Sequence, residues 1–150
     1  MAVGSNIENR TAHLEQARTL LMEHPEIHWQ RSSEVHETDP VGPGLSGQFL
    51  NAVWEIRTCL SPYALLDALE AIQRKMGRAT KSDGQNRTID LDIALFGSLM
   101  MESKRLVIPH PRMHERAFVL KPLAELVPHF FHPKLGKTVQ ELLEEIVARS

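Results

Sequence analysis

The stretch best equipped for chemistry is Asn86-Arg87-Thr88-Ile89-Asp90-Leu91-Asp92-Ile93-Ala94-Leu95-Phe96-Gly97. Residues 89–96 have strand composition. Alternation puts Ile89, Leu91, Ile93 and Leu95 on one face and Asp90, Asp92, Ala94 and Phe96 on the other. Two carboxylates two residues apart on a strand project the same way, about 7 Å apart at their Cα atoms. That spacing suits one or two hard cations such as Mg²⁺, which take oxygen ligands, and Arg87 can hold an anion that such cations carry. The plainer alternative is the solvated face of an antiparallel sheet, which an Asp-x-Asp by itself favours. Two features tip the balance toward a metal-and-phosphate site. Aspartate is depleted in strands, and basic and histidine-bearing segments follow nearby in the chain.

Neither a Gly-x-x-x-x-Gly-Lys-Ser/Thr loop nor a Gly-x-Gly-x-x-Gly is present, so phosphates must be held by cations and side chains. Candidates are Arg78, Lys81, Arg87, Arg105 and the run from Pro109 and His110 through Arg112 to Arg116. Guanidinium forks match phosphate oxygens and imidazole adds a donor; a lone surface arginine is the usual alternative for each. A zinc pair at His110 and His114 is disfavoured, because Pro109 and Pro111 oppose a helix there. The other histidines show no ligand spacing. Phe49, Phe118 and Trp54 suit a core, although an aromatic with Asn51 nearby can also sandwich a flat heterocycle and bond its edge.

Several elements must position these groups. A strand stub at 2–4 is followed by a helix at 10–23 that Pro25 closes, and residues 27–38 read as one strand with Ile27, Trp29 and Val35 on a face. A Gly/Pro-rich loop at 39–48 precedes a second strand at 50–57. Ser61-Pro62 starts a helix whose stripe is Leu65, Leu69, Ile72 and Met76, and Gly77 stops it. Residues 78–85 are polar and expected to be mobile. After the acidic strand, the chain turns at 97–98 into an expected hairpin partner at 99–101, and a short strand at 106–108 ends at Pro109. A helix at 119–127 has Pro122 near its start, and Thr138 with Glu141 forms a capping box for a last helix with Leu142, Leu143, Ile146 and Val147 inward. The links are not regular βαβ units, so the expected fold is α+β, helices packed on an antiparallel sheet.

With 150 residues the chain fits one domain, 1–150, and its composition of 42% hydrophobic and 24% charged residues is that of a globular protein. A formal charge of −2 gives no global attraction to nucleic acid or acidic membranes. One cysteine, Cys59, excludes an internal disulfide and suits a reducing compartment. With no apolar run of membrane length, a cytoplasmic protein is expected.

Taken together, Arg87-Thr-Ile-Asp90-Leu-Asp92-Ile, Gly4-Ser-Asn6, Phe49-Leu-Asn51, Gly77-Arg78, Pro109-His110 and Arg116-Ala-Phe118 resemble the 6-hydroxymethyl-7,8-dihydropterin pyrophosphokinase family over nearly the whole chain. The resemblance implies a ferredoxin-like sandwich and, in folate biosynthesis, transfer of pyrophosphate from ATP to a pterin alcohol with release of AMP. It implies two Mg²⁺ ions on Asp90 and Asp92, with Arg78, Arg87 and Arg116 acting on the phosphates and Arg105 and His110 helping to hold ATP. Leu66, Glu70, Gln73 and Ile93 would lie near the nucleotide, and Thr38, Val41, Phe49, Asn51 and Phe118 would line the pterin pocket. A monomer acting on small molecules is implied. A non-catalytic pterin- or nucleotide-binding module of the same fold, and a metal-dependent sugar-nucleotide transferase, are the alternatives.

Overall fold

In the computed structural model the sheet is built around β4 (Phe49–Thr58), the longest strand at ten residues. The structure describes residues 1–5, 10–38, 49–77 and 89–149, without the side chains of residues 10, 38 and 49. β1 (Ala2–Ser5) lies along one edge of β4, and β2 (Ile27–Ser32) and β3 (His36–Thr38) lie along the other. β5 (Asp90–Asp92) joins beyond β1, giving the order β2-β4-β1-β5 with β3 on β4, every pair antiparallel. A separate two-stranded ribbon pairs β6 (Met101–Glu102) with β7 (Val107–Ile108).

Both faces of β4 are buried, and this fixes the layers. Ala52 and Trp54 join Val3, Leu91 and the helical residues Leu14, Leu21, Leu65 and Leu69 in one apolar cluster. Those helical residues belong to α1 (Arg10–Glu23) and α2 (Pro62–Lys75). Val53, between them in sequence, joins Leu120, Leu123, Val139 and Leu142 in the other cluster. Here the partners are α3 (Ala117–Leu126) and α4 (Val139–Arg149). The sheet is thus sandwiched between two helix pairs. Each fully buried leucine, Leu21, Leu69 and Leu120 among them, contributes about 2 to 3 kcal/mol by leaving water.

The helix signals in the sequence operate as expected. The Ser61 hydroxyl accepts from Ala64 N–H at 3.2 Å with Pro62 in the first turn, Leu65, Leu69, Ile72 and Met76 are all buried, and Gly77 takes a positive φ of 93°. The capping box closes both ways: Thr138 N–H donates to Glu141 Oε1 at 2.9 Å and Glu141 N–H to Thr138 Oγ1 at 3.1 Å.

Six expectations are corrected. The strand expected over 27–38 is two strands, because Ser33 is buried and uses its hydroxyl to accept Val53 N–H while its own N–H bonds Val53 C=O. Val35, in the interruption, is exposed. The acidic strand is only Asp90–Asp92; just past it the Ala94 C=O accepts His110 N–H instead of continuing the ladder. Residues 99–101 do not return along it; Met101 pairs with Ile108 instead. Finally, α3 begins at Ala117, placing Pro122 inside the helix, and Val147 of α4 faces outward.

The amino terminus is tied into the sheet. Its nitrogen donates to Trp54 C=O at 2.8 Å, and Trp54 N–H returns a bond of 2.9 Å to Met1 C=O. Burial lowers the amine pKa from 8.0 to about 6, against the opposing pull of Glu55 and Asp92. Between these two values the unfolded chain binds more protons than the folded one, so stability falls as pH drops from 8 toward 6 and is level below. The full effect is about 3 kcal/mol. Thermal melts of free and Nα-acetylated chains should therefore converge at pH 8.5 and separate toward pH 6, the free form melting lower. Parallel pH dependences would show the amine to be solvated.

Candidate active site

β5 presents its two acidic residues by plain strand alternation. Leu91 points into the α1/α2 cluster, while Asp90, half-buried, and Asp92, exposed, flank it on the opposite face. The outer edge of this short strand is secured by a helix: the buried Gln73 of α2 accepts Leu91 N–H at 3.0 Å through its Oε1. Changing Gln73→Leu keeps the volume but leaves that N–H buried without an acceptor, a cost of about 1 to 3 kcal/mol. The change should lower the denaturation midpoint and speed exchange of the Leu91 amide; unchanged exchange would mean the bond is dispensable.

The sheet register places a polar row beside the carboxylates. Asp90 pairs with Gly4, Gly4 pairs with Asn51, and Asn51 pairs with His36. Residues directly opposite on antiparallel strands share a face, so Asp90 and Asn51 stand on one side of the sheet, about 10 Å apart across Gly4. Gly4 permits this closeness. A Cβ there would come 3.0 Å from Asn51 Oδ1 and 3.7 Å from Leu50 C=O. Gly4→Ala should accordingly push the Asn51 amide aside, which the NMR signals of the Asn51 side-chain amide would register. Unmoved signals would mean that the amide does not depend on the missing Cβ. Sequence inspection named Asn51 but not this use of Gly4; only the cross-strand register reveals it.

A second set of groups arrives from the segment after β7. His110 N–H donates to Ala94 C=O at 2.9 Å, fastening this segment to the chain just past β5. Its Nδ1 accepts from Arg112 N–H at 3.2 Å, which leaves the proton on Nε2 in the neutral ring. Burial, then the positive charges of Arg116 and Arg112, depress the His110 pKa. A neutral imidazole able to donate from Nε2 is the result at pH 7. Arg116 occupies the N-cap of α3 without a side-chain capping bond, its guanidinium 5.6 Å from the centre of the half-buried Phe118 ring.

Other sequence candidates are placed less centrally. Arg105 is held to α2 by ion pairs with Asp67 and with Glu70, the latter at 2.9 Å; those bonds raise its pKa. Leu66 is half-buried on α2, and Ile93 is buried directly after β5. Thr38 pairs with Phe49 at the end of the β3–β4 ladder. Val41, Arg78, Lys81 and Arg87 lie outside the described residues, as do the Gly/Pro-rich loop and the polar loop. Among the described residues no group of three or more His, Cys, Asp or Glu could hold a metal. A cation here would depend on the Asp90/Asp92 pair and on its own substrate ligands. A cleft of about 440 Å³ beside His110 is lined also by Met101, His114, His132 and Lys134.

Comparison with known proteins decides the family. The family model described as 7,8-dihydro-6-hydroxymethylpterin-pyrophosphokinase (HPPK) matches residues 1–128. The chain belongs to the HPPK family. It is 45% identical over 126 residues to the 2-amino-4-hydroxy-6-hydroxymethyldihydropteridine pyrophosphokinase of Bacillus subtilis, covering 84% of this chain and 75% of that protein. The enzyme of the same name from Pseudomonas aeruginosa is 39% identical over 143 residues, with 95% and 88% covered. A Plasmodium falciparum HPPK-DHPS crystal structure superposes with a TM-score of 0.78 over 99% of the chain at 15% identity, which supports the α+β fold. The chain spans only 44% of that longer polypeptide. As an HPPK, the protein is a diphosphokinase of folate biosynthesis acting on a pterin. No described helix is long and apolar enough to cross a membrane.

Proposed function

We propose that pyrophosphoryl transfer takes place on the sheet face shared by Asp90, Asp92 and Asn51, with the pterin over Asn51 and the ATP phosphates over the two carboxylates. The observation that supports this reading is the register row Asp90–Gly4–Asn51, which brings a carboxylate and a side-chain amide onto one face of the sheet. Thr38, Val41, Phe49, Asn51 and Phe118 form the pterin pocket. Leu66, Glu70, Gln73 and Ile93 lie toward the nucleoside, and Arg78, Arg87, Arg105, Arg116 and His110 meet the phosphates. Residues 1–150 form a single pyrophosphokinase domain, acting as a monomer in the cytoplasm.

The residues fit a divalent cation: two hard oxygen donors on one face, one exposed and one half-buried. Mg²⁺ bound there neutralises triphosphate charge and lowers the cost of charge that develops during transfer. The chain's own groups do the rest. Asn51 fixes the ring so that its hydroxymethyl oxygen approaches the β-phosphorus in line, AMP leaving on the far side. Arg116 meets phosphate oxygens as a fork, backed by the Phe118 ring. Neutral His110 donates a hydrogen bond from Nε2 without adding charge. Phosphoryl-type transfer rests on positioning and charge neutralisation more than on a protein nucleophile. AMP release from MgATP that requires the pterin alcohol is the expected assay result; release at the same rate without it would contradict the proposed arrangement.

A further inference from the structure

Near the carboxyl end of α3, the Glu125 carboxylate is used twice by the segment that opens β3. Its Oε1 accepts Glu34 N–H at 2.8 Å, and its Oε2 bonds Nε2 of His36. A carboxylate only accepts, so the imidazole donates that second bond. The two side chains are 31% and 32% exposed, which sets the pair apart from fully solvated ion pairs of little worth. A neighbouring tie strengthens the same junction: Arg31 Nη2 donates to Leu126 C=O at 2.9 Å. His36 and Glu125 are 89 positions apart, so only the fold brings them together.

Two periodicities connect this junction to the ring. His36 pairs with Asn51 and therefore stands on the Asn51 side of the sheet, and the same ladder runs on to Thr38 opposite Phe49. Phe118 and Glu125 are seven residues apart in α3, two helical turns, so they share one helix face about 10 Å apart. Apolar contact of Val53 with Leu120 and Leu123 holds α3 against the sheet, but such attraction has no direction and leaves the helix free to slide or roll. Hydrogen bonds are directional and remove that freedom. We propose that Glu125 is a positioning residue for the pterin: its two bonds to residues 34 and 36 fix the gap between the Asn51 end of the sheet and Phe118 of α3. The inference rests on the placement of the pterin over Asn51 proposed above. A flat ring held between two walls is sensitive to their spacing, because a gap wider by about 0.5 to 1 Å forfeits a quarter to a half of the contact attraction.

The test is steady-state kinetics of AMP release, with MgATP and the pterin alcohol varied in turn, on the full chain and its variants. Glu125→Ala is expected to raise KM for the pterin alcohol about ten-fold, with kcat and KM for MgATP within about two-fold of the parent. Glu125→Gln keeps an acceptor for Glu34 N–H and should restore most of the loss. His36→Phe, which leaves the Glu34 bond in place, should raise the same KM about three-fold, and it carries the comparison if Glu125→Ala does not fold. The double variant should be no worse than Glu125→Ala alone, because the His36 bond runs through Glu125. Asn51→Ala marks where the ring sits. A pterin KM raised by Asn51→Ala but not by the Glu125 and His36 variants would overturn the positioning role and leave the ring placement standing. A pterin KM moved by none of them would remove the ring from this face and the inference with it. Parallel rises in KM for both substrates would also overturn the proposal, since they would show a general loosening of the fold.

Discussion

Asp92→Ala is expected to lower kcat at least about 1,000-fold, roughly 4 kcal/mol of transition-state stabilisation, while the chain melts within a degree or two of the parent. The separation follows from where the side chain stands. Asp92 is exposed, and its strand is held by the Ala2 pairing on one edge and by the bond that Leu91 N–H donates to Gln73 on the other. The strand does not depend on that carboxylate for its backbone pairing, and exposed substitutions usually change stability by no more than about 0.5 kcal/mol. In the proposed arrangement, loss of one of the two cation ligands would expose the triphosphate charge that the reaction must spread. Asp90→Ala should behave similarly in turnover. Turnover within ten-fold of the parent in both variants would remove the carboxylates from the chemistry.

Arg116→Ala should reduce kcat/KM for ATP by about 100- to 1,000-fold, some 3 to 4 kcal/mol. Arg116→Lys should recover only a small part, since an ammonium keeps the charge but not the bidentate fork. Helix α3 is not at risk, because Arg116 caps it through backbone alone. A second readout distinguishes charge from shape. Arg116 is one of the two guanidinium charges that depress the His110 pKa. Its removal should raise that pKa toward the ordinary histidine value, observable by NMR titration, whereas the lysine variant should leave it low. A His110 titration indifferent to Arg116 would place the guanidinium elsewhere.

Local signals in the sequence were strong where the physics is local. Ser61-Pro62, the Thr138/Glu141 box and the 3.6-residue stripe of α2 each depend on neighbours within one or two turns, and each appears in the structure as read. The alternation that aims Asp90 and Asp92 away from Leu91 is local in the same sense. What the chain could not disclose depends on partners distant in sequence. The pairing partner of β5 is β1, some ninety residues earlier, and the break at Ser33 depends on a hydroxyl that reaches Val53. The job of Gly4 appears only once Asn51 is placed beside it. Gln73, assigned by resemblance to the nucleotide, also proves to be the clamp on the acidic strand.

Crystals grown with a non-hydrolysable ATP analogue, the pterin alcohol and Mn²⁺ in place of Mg²⁺ offer the sharpest check on the shared sheet face. Anomalous scattering should place manganese within about 2 to 2.5 Å of carboxylate oxygens from both Asp90 and Asp92, with the pterin ring edge against the Asn51 amide. Manganese held away from both aspartates while the pterin and the analogue are bound would contradict the arrangement.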